Sequence, residues 1–302
     1  MHMDSSYIKD LQIFLAVVNA NGVSNAQSVL NKDASAISRS LNTLETRLGL
    51  ILCERGRQGF KITPEGSLII EQTQVLFGAF RSFENNVMIA CGQSASRLSI
   101  GIIDNIITDD NCPLQSALNR IHDQFSSDFE LAIHTKSPHR LEKLLLNKEI
   151  DIALGIFDNH HRSLNYSALY SETDYLYCAS HNPVARLLEQ GGKQKQLIDC
   201  IRTQNFCARS FLNEADIKCL GFQLLGKTTF TSNLEAITFL ILSGSYIGFI
   251  PHHFAQRFVD EGKLTPILAS TIKRVSTLEL VHRRDEDKNS SVLKRALELL
   301  RI

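Results

Sequence analysis

Residues 33–48, Asp-Ala-Ser-Ala-Ile-Ser-Arg-Ser-Leu-Asn-Thr-Leu-Glu-Thr-Arg-Leu, decide the reading of this chain. Ile37, Leu41, Leu44 and Leu48 recur at steps of four, three and four, which puts them on one face of an α-helix. The opposite face carries Ser35, Ser38, Arg39 and Asn42, and no aliphatic side chain interrupts it. Hydroxyls, a guanidinium and an amide are the groups that hydrogen-bond base edges and phosphates in a major groove. Asp33, just ahead of the stripe, can accept from the free N–H groups of the first turn and so cap the helix.

Upstream, Ile8, Leu11, Leu15 and Val18 predict a first helix with one buried stripe, stopped at Asn21-Gly22. A short second helix is expected over about residues 24–30, with Ser24 as its cap, and Asn31-Lys32 as the turn into the third. Two helices, a tight turn and a polar recognition face describe a helix-turn-helix. A three-helix bundle with a solvated polar face would show the same pattern.

Downstream of Gly49 the period changes. Residues 50–54 and 60–63 read as two short strands around Arg55-Gly56-Arg57-Gln58-Gly59, a hairpin wing suited to a phosphate backbone. Arg55 and Arg57 therefore join the candidate DNA contacts. Residues 39–61 hold five basic and two acidic side chains, a local excess in a chain balanced at 32 of each.

Thr63-Pro64-Glu65-Gly66 then opens a long helix, with Thr63 as cap and Pro64 in the first turn. Leu76, Phe80, Phe83 and Val87 form an apolar stripe along it. Pairing with the same helix of a second chain would cover such a stripe, and packing onto its own domain is the alternative. Residues 91–96 read as a hinge.

Beyond the hinge the texture is α/β. Strands are expected over residues 98–103, 129–134 and 151–156, with helices over 113–124 and 139–147 between them, which implies a parallel sheet covered on both faces. Residues 175–179, 205–208, 228–230 and 246–251 look like strands of a second lobe, and an amphipathic tail helix over 292–300 can return to the first. Two such lobes place a ligand cleft between them, at the carboxyl ends of strands. The expected organisation is a winged helix-turn-helix over 1–66 and a linker helix with hinge over 67–96. An effector domain follows over 97–302, with lobe I at about 97–170 and 271–302 and lobe II at about 171–270.

Bulk properties narrow the class. A chain of 302 residues is about twice the usual domain size. Its 43% apolar and 21% charged residues make an ordinary globular mix. No apolar run approaches the roughly 18 residues that span a bilayer, and the polar start does not resemble a signal peptide. Seven cysteines without a C-x-x-C pair form neither a disulfide framework nor a zinc site, which points to the reducing cytoplasm. The pairs His160-His161 and His252-His253 have no acid or thiolate at helical spacing, so no metal and no cofactor is expected. No nucleophile elbow, P-loop or dinucleotide fingerprint is present, which argues against an enzyme. An architectural DNA-binding protein without an effector remains the alternative, separable by whether a ligand changes the footprint.

As a set, several segments resemble the LysR-type transcriptional regulators along essentially the whole chain. These are Phe14-Leu15-Ala16-Val17, Ala36-Ile37-Ser38-Arg39, Leu44-Glu45, Leu48-Gly49, Leu52-Cys53-Glu54-Arg55 and Ile62-Thr63-Pro64-Glu65-Gly66. Ser99-Ile100-Gly101, the segment from Leu145 to Gly155, and Gly244 to Pro251 are weaker echoes. The resemblance implies a winged helix-turn-helix, a dimerising linker helix and a periplasmic-binding-protein-like effector domain, assembled as a homodimer or homotetramer on double-stranded DNA. RNA polymerase is a further candidate partner. Asp33-Ala34-Ser35 replaces the family's Ser-Gln-Pro or Ser-Gln-Ser, so operator preference is expected to differ. Lys148 replaces a glycine, which is expected to alter a surface turn.

Family placement also implies the cleft walls: Asp104 and Asn105 after the first strand, Ser137 after the second, Arg209, Ser232, and the Ile250-Pro251 turn. A small polar effector is expected there, an anion more readily than a cation. Helix N-termini and Arg209 favour negative charge, and Asp104 opposes it. Cys200 and Cys207 lie roughly where peroxide-sensing members of the family use two cysteines, but Cys207 falls in a predicted strand, where a thiol is ordinarily inert packing.

Overall fold

The computed structural model describes residues 4–56, 59–91, 97–125, 130–210, 220–284 and 290–301. The chain forms two compact units, Met1–Glu84 and Asn85–Ile302.

The first unit opens with helices α1 (Ser5–Asn19), α2 (Val23–Leu30) and α3 (Ala34–Leu48). Asp4 caps α1 by accepting from the Tyr7 N–H at 3.0 Å. The buried face of α1 is centred on Tyr7, Leu11, Phe14 and Val17, while Ile8, Leu15 and Val18 of the expected stripe lie at its half-buried margin. Asn21 and Gly22 both take positive φ, at 55° and 139°, so this pair ends α1. Gly22, not Ser24, is the N-cap of α2, and no side chain caps that helix. Asn31 at φ 49° makes the turn into α3. Ile37, Leu41 and Leu44 are fully buried against α1, and Leu48 is half-buried beside them.

Strands β1 (Cys53–Gly56) and β2 (Gly59–Ile62) pair antiparallel as the wing. Helix α4 (Pro64–Ala90) follows, with the Thr63 hydroxyl accepting the Gly66 N–H at 2.9 Å. Gly66 is required by close approach, because a Cβ there would fall 2.0 Å from the Leu52 carbonyl oxygen. Along α4 the expected seam divides. Leu76 joins Ile69, Ile70 and Phe77 against the core of its own unit, whereas Phe80, Phe83 and Val87 are exposed. Residues 92–96 of the expected hinge lie outside the described residues.

In the second unit, β3 (Arg97–Ile102), α5 (Leu114–Phe125), β4 (Glu130–Thr135), α6 (Pro138–Leu146) and β5 (Ile152–Gly155) build the first lobe. Strands β6 (Leu164–Ala179), β7 (Asn205–Arg209), β8 (Thr228–Thr231) and β9 (Tyr246–Pro251) follow, with helices α7 (Pro183–Glu189), α8 (Gln194–Arg202), α9 (Leu234–Leu242) and α10 (His252–Asp260). Strands β10 (Leu264–Pro266) and β11 (Lys273–Arg283) and helix α11 (Ser291–Leu300) complete it.

Among the described residues the strands form one sheet in the order β4-β3-β5-β11-β6-β9-β7-β8, with β10 also on β6. β3 is parallel to β4 and β5, and β7 is parallel to β8 and β9. The long antiparallel ribbon β6–β11 stitches these two parallel halves together. The first-lobe core gathers Leu98, Ile100, Leu145, Leu154 and Leu280, and α11 returns to it through Val292, Ala296 and Leu299. The second lobe has two cores, one around Leu176, Phe206 and Ile247 and one around Tyr177, Ile241 and Phe254. Lys148 sits at φ 57°, the left-handed region where the family's glycine is unstrained.

Candidate functional site

The Asp33 carboxylate accepts the Ala36 N–H at 2.7 Å and the Ser35 hydroxyl at 3.1 Å, which starts α3 and holds that carboxyl below the usual carboxylate range. The helix then presents Ser35, Arg39 and Asn42 as exposed side chains, with Ser38 half-buried between them. Arg39 Nε donates to the Ser35 carbonyl at 3.3 Å, which lays the guanidinium along the exposed face. Thr43 and Thr46, exposed on the same helix, add hydroxyls beyond the expected four residues.

Arg55 has another job. Its guanidinium donates to the Glu45 carboxylate and to Asn42 Oδ1, the latter at 3.1 Å, so it ties the wing to the recognition helix. The same Glu45 accepts the Leu52 N–H at 2.8 Å and the Cys53 N–H at 3.3 Å through Oε1. One carboxylate thus orients the wing through two backbone amides and one guanidinium. In the sequence Glu45 stands out only as part of the Leu44-Glu45 resemblance, because its partners are created by the fold. Arg57 lies outside the described residues.

In the second unit a cavity of about 390 Å³ opens at the carboxyl ends of β3 and β4 and ahead of α9. Asp104, Ser137 and Ser232 line it as expected, and Thr135, Lys136 and Asn233 line it in addition. The helix beginning there, α6, has Ser137 as N-cap, yet the Ser137 side chain makes no capping bond and Pro138 fills the first helical position. Ser137 and Pro138, at the start of this helix, line the cavity together with Lys136.

The opposite helix end is already satisfied. Asn233 Oδ1 accepts the Ala236 N–H at 2.9 Å, and Asp104 Oδ2 accepts the Leu234 N–H at 2.6 Å. Asp104 also lies 3.7 Å from Arg209, whose side chain is 4% exposed. Arg209 is thus faced by the Asp104 carboxylate and does not line this cavity. Asn105, at φ 66°, turns its amide onto Asp104 at 3.2 Å and is not part of the cavity wall. Ile250 and Pro251 do not line this cavity either: Ile250 is fully buried in the second-lobe core, and Pro251 ends β9 opposite Asp174. β9 lies between β6, to which it is antiparallel, and β7, to which it is parallel, and its residues from Ile247 to Pro251 are all buried.

Cys207 is fully buried in β7, and burial pushes its thiol up to about 12. Burial also raises the thiol of half-buried Cys200. The thiolate is the reactive form, so both environments oppose peroxide chemistry.

A recognition helix with a tethered wing, in a chain that also carries a two-lobed α/β domain with a cavity at its strand ends, defines a ligand-responsive DNA-binding regulator. Residues 8–67 match the bacterial regulatory helix-turn-helix protein, lysR family, and residues 92–301 match the LysR substrate binding domain. The chain is 30% identical to the HTH-type transcriptional activator BauR of Pseudomonas aeruginosa over 98% of its own length and 94% of that protein. It belongs to the LysR family of transcriptional regulators and is a DNA-binding transcription regulator with a small-molecule-binding domain. Among solved structures it is similar in fold to CbnR, a LysR family transcriptional regulator, with a TM-score of 0.65 at 18% identity, covering 99% of this chain and 98% of that one. Full-length CbnR complexed with its target DNA gives a TM-score of 0.62 at 18% identity and 99% coverage of both chains. No described helix is long and apolar enough to cross a membrane.

Proposed function

We propose that Ser35, Ser38, Arg39 and Asn42 form the base- and phosphate-reading face, and that a small anionic metabolite in the 390 Å³ cavity controls how the protein engages its operator. The observation that carries the effector reading is the open N-terminus of α6 beside Lys136. A helix N-terminus and an ammonium group favour a carboxylate or phosphate, and Ser137, Thr135 and Ser232 supply hydroxyls to orient it. The volume falls within the roughly 300–1,000 Å³ usual for small-molecule sites. The ligand's negative group thus sits at α6, not at Arg209.

Homodimerisation through the exposed Phe80, Phe83 and Val87 of α4 fits the same reading. An apolar depression of about 400 Å³ between α1 and α4, lined by Leu15, Ala16, Val29 and Phe77, offers further surface to a second chain. The chain acts in the cytoplasm, as a regulator and not as an enzyme; the named relatives are all regulators. An activator role follows the printed description of BauR.

Calorimetric titration with a panel of small carboxylates and phosphates tests the cavity. The Lys136→Met chain is expected to lose at least tenfold in affinity for the ligand found. The Ser137→Leu, Ser232→Leu chain is expected to lose the ligand response while keeping basal DNA binding. A double variant that still responds normally would refute the placement.

A further inference from the structure

Asp109 closes the short turn after β3 in the first lobe, Glu172 lies on the crossing strand β6, and His253 is the second residue of α10 in the second lobe. The three converge. The side chains of Glu172 and Asp109 are 3% and 5% exposed, and that of His253 is 16% exposed. His253 Nε2 stands 3.0 Å from Glu172 Oε2 and 3.6 Å from Asp109 Oδ2, and one donor atom from each residue lies within 4.8 Å of the others.

One arrangement of the surrounding hydrogen bonds leaves Nε2 of His253 without a proton. Thr108 Oγ1 lies 3.1 Å from the Asn105 carbonyl oxygen and 2.8 Å from His253 Nδ1; with the hydroxyl donating to the carbonyl, Nδ1–H donates to the hydroxyl. In that tautomer Nε2 faces two buried carboxylates, an arrangement that favours a positive charge between them. On the other side, Asp109 Oδ1 is held by the backbone and side-chain N–H groups of Asn111, both at 3.0 Å. Glu172 Oε1 is buried without a hydrogen-bond partner. A buried carboxylate oxygen left in this state is an acceptor whose partner is still to be supplied.

We propose that Asp109, Glu172 and His253 bind a divalent first-row cation of the zinc class, which clamps the first lobe to the second across strand β6. Donor atoms about 2.1 Å from a common ion lie about 3.0–3.4 Å apart; the 3.0 Å from Nε2 to Glu172 meets that spacing and the 3.6 Å to Asp109 lies just beyond it. One imidazole nitrogen with two carboxylates suits zinc or its first-row neighbours better than calcium or magnesium, which prefer all-oxygen shells. The Thr108 bond to Nδ1 and the Asn111 bonds to Asp109 are the outer contacts that orient metal ligands. Two carboxylates balance the charge of a dication, and Glu172 Oε1 remains as a further buried acceptor. The site is separate from the effector cavity, whose wall ends at Asp104 on the other side of Asn105. Sequence spacing could not reveal it. The neighbouring His252 turns away to the Tyr177 hydroxyl, and the partners of His253 come from distant segments.

The test uses the full-length, untagged chain stripped with a chelator. Calorimetric titration with zinc chloride is expected to show one tight site per chain. Thermal unfolding is expected to rise by about 5 °C or more at a hundredfold excess over the dissociation constant, with no comparable rise for magnesium or calcium. The near-isosteric changes Glu172→Gln and Asp109→Asn are each expected to weaken zinc binding at least tenfold, while the exposed-site change His122→Ala leaves it unaltered. Absence of stoichiometric zinc binding by the unsubstituted chain overturns the proposal, whether or not the variants fold. So does zinc binding that survives both changes. A midpoint that follows pH and ignores zinc also overturns it, since a proton on Nε2 then supplies the charge.

Discussion

The Asp104 carboxylate accepts the Leu234 N–H at 2.6 Å, so a side chain of the first lobe closes the N-terminus of α9 in the second. That position would otherwise attract a bound anion, and Asp104 holds it with the protein's own charge. Asp104→Ala is expected to lower stability by about 1–3 kcal/mol, the usual cost of removing a buried hydrogen-bond partner. It is also expected to tighten the binding of anionic ligands in the adjacent cavity. Thermal unfolding and calorimetric titration of the variant check both outcomes, and unchanged anion affinity would remove Asp104 from any role in setting charge preference.

Arg39 is the one exposed guanidinium on the polar face of α3 among the expected contacts, and it has no carboxylate partner among the described ion pairs. Arg39→Ala is expected to cost about 1–3 kcal/mol of operator binding while leaving folding nearly unchanged. Fluorescence anisotropy against the operator, with circular dichroism as the folding control, measures this. Unaltered affinity in a folded variant would move the recognition surface elsewhere.

Glu45 holds the wing through Leu52, Cys53 and Arg55. Glu45→Ala leaves two part-buried amides and one guanidinium to find other partners, at an expected cost of about 1–3 kcal/mol. Hydrogen exchange at the Leu52 and Cys53 amides should accelerate, and operator binding should weaken without loss of any direct contact. Protection factors equal to those of the parent chain would show that the wing is held in some other way.

Phe80 and Phe83 are 42% and 66% exposed on α4, whereas Leu76 is packed within its own unit. Phe80→Glu with Phe83→Glu would put two charges into an apolar seam, so the double variant is expected to be monomeric and to bind DNA poorly. Light scattering reads the outcome. An oligomer of unchanged mass would place the interface on another face.

Local sequence determined the elements whose information is local. Asn21-Gly22, Asn31 and the Asp33 cap set the helix boundaries through backbone conformations and short-range hydrogen bonds, which depend on neighbouring residues alone. The Ile37, Leu41 and Leu44 stripe fixed which face of α3 is buried, and hence that Ser35, Arg39 and Asn42 are exposed. In α1 the period was legible but its phase was not, because Tyr7 and Phe14 bury more area than the aliphatics that drew the stripe.

Tertiary structure decided everything that depends on distant segments. The crossing strand β6 reads poorly as a strand because it serves both lobes and its burial pattern changes along its length. Whether Arg209 offers its charge to a ligand depended on Asp104, and whether Arg55 reaches for phosphate depended on Glu45. Ile250 and Pro251 looked like a ligand-facing turn in sequence but are buried, since β9 lies inside the sheet between β6 and β7 and is covered on both faces. Asp109, Glu172 and His253 meet only because β6 and α10 bring two lobes together. Charge pairing and burial act through space, so spacing along the chain determined which residues could do chemistry here and the fold alone determined which of them are free to do it.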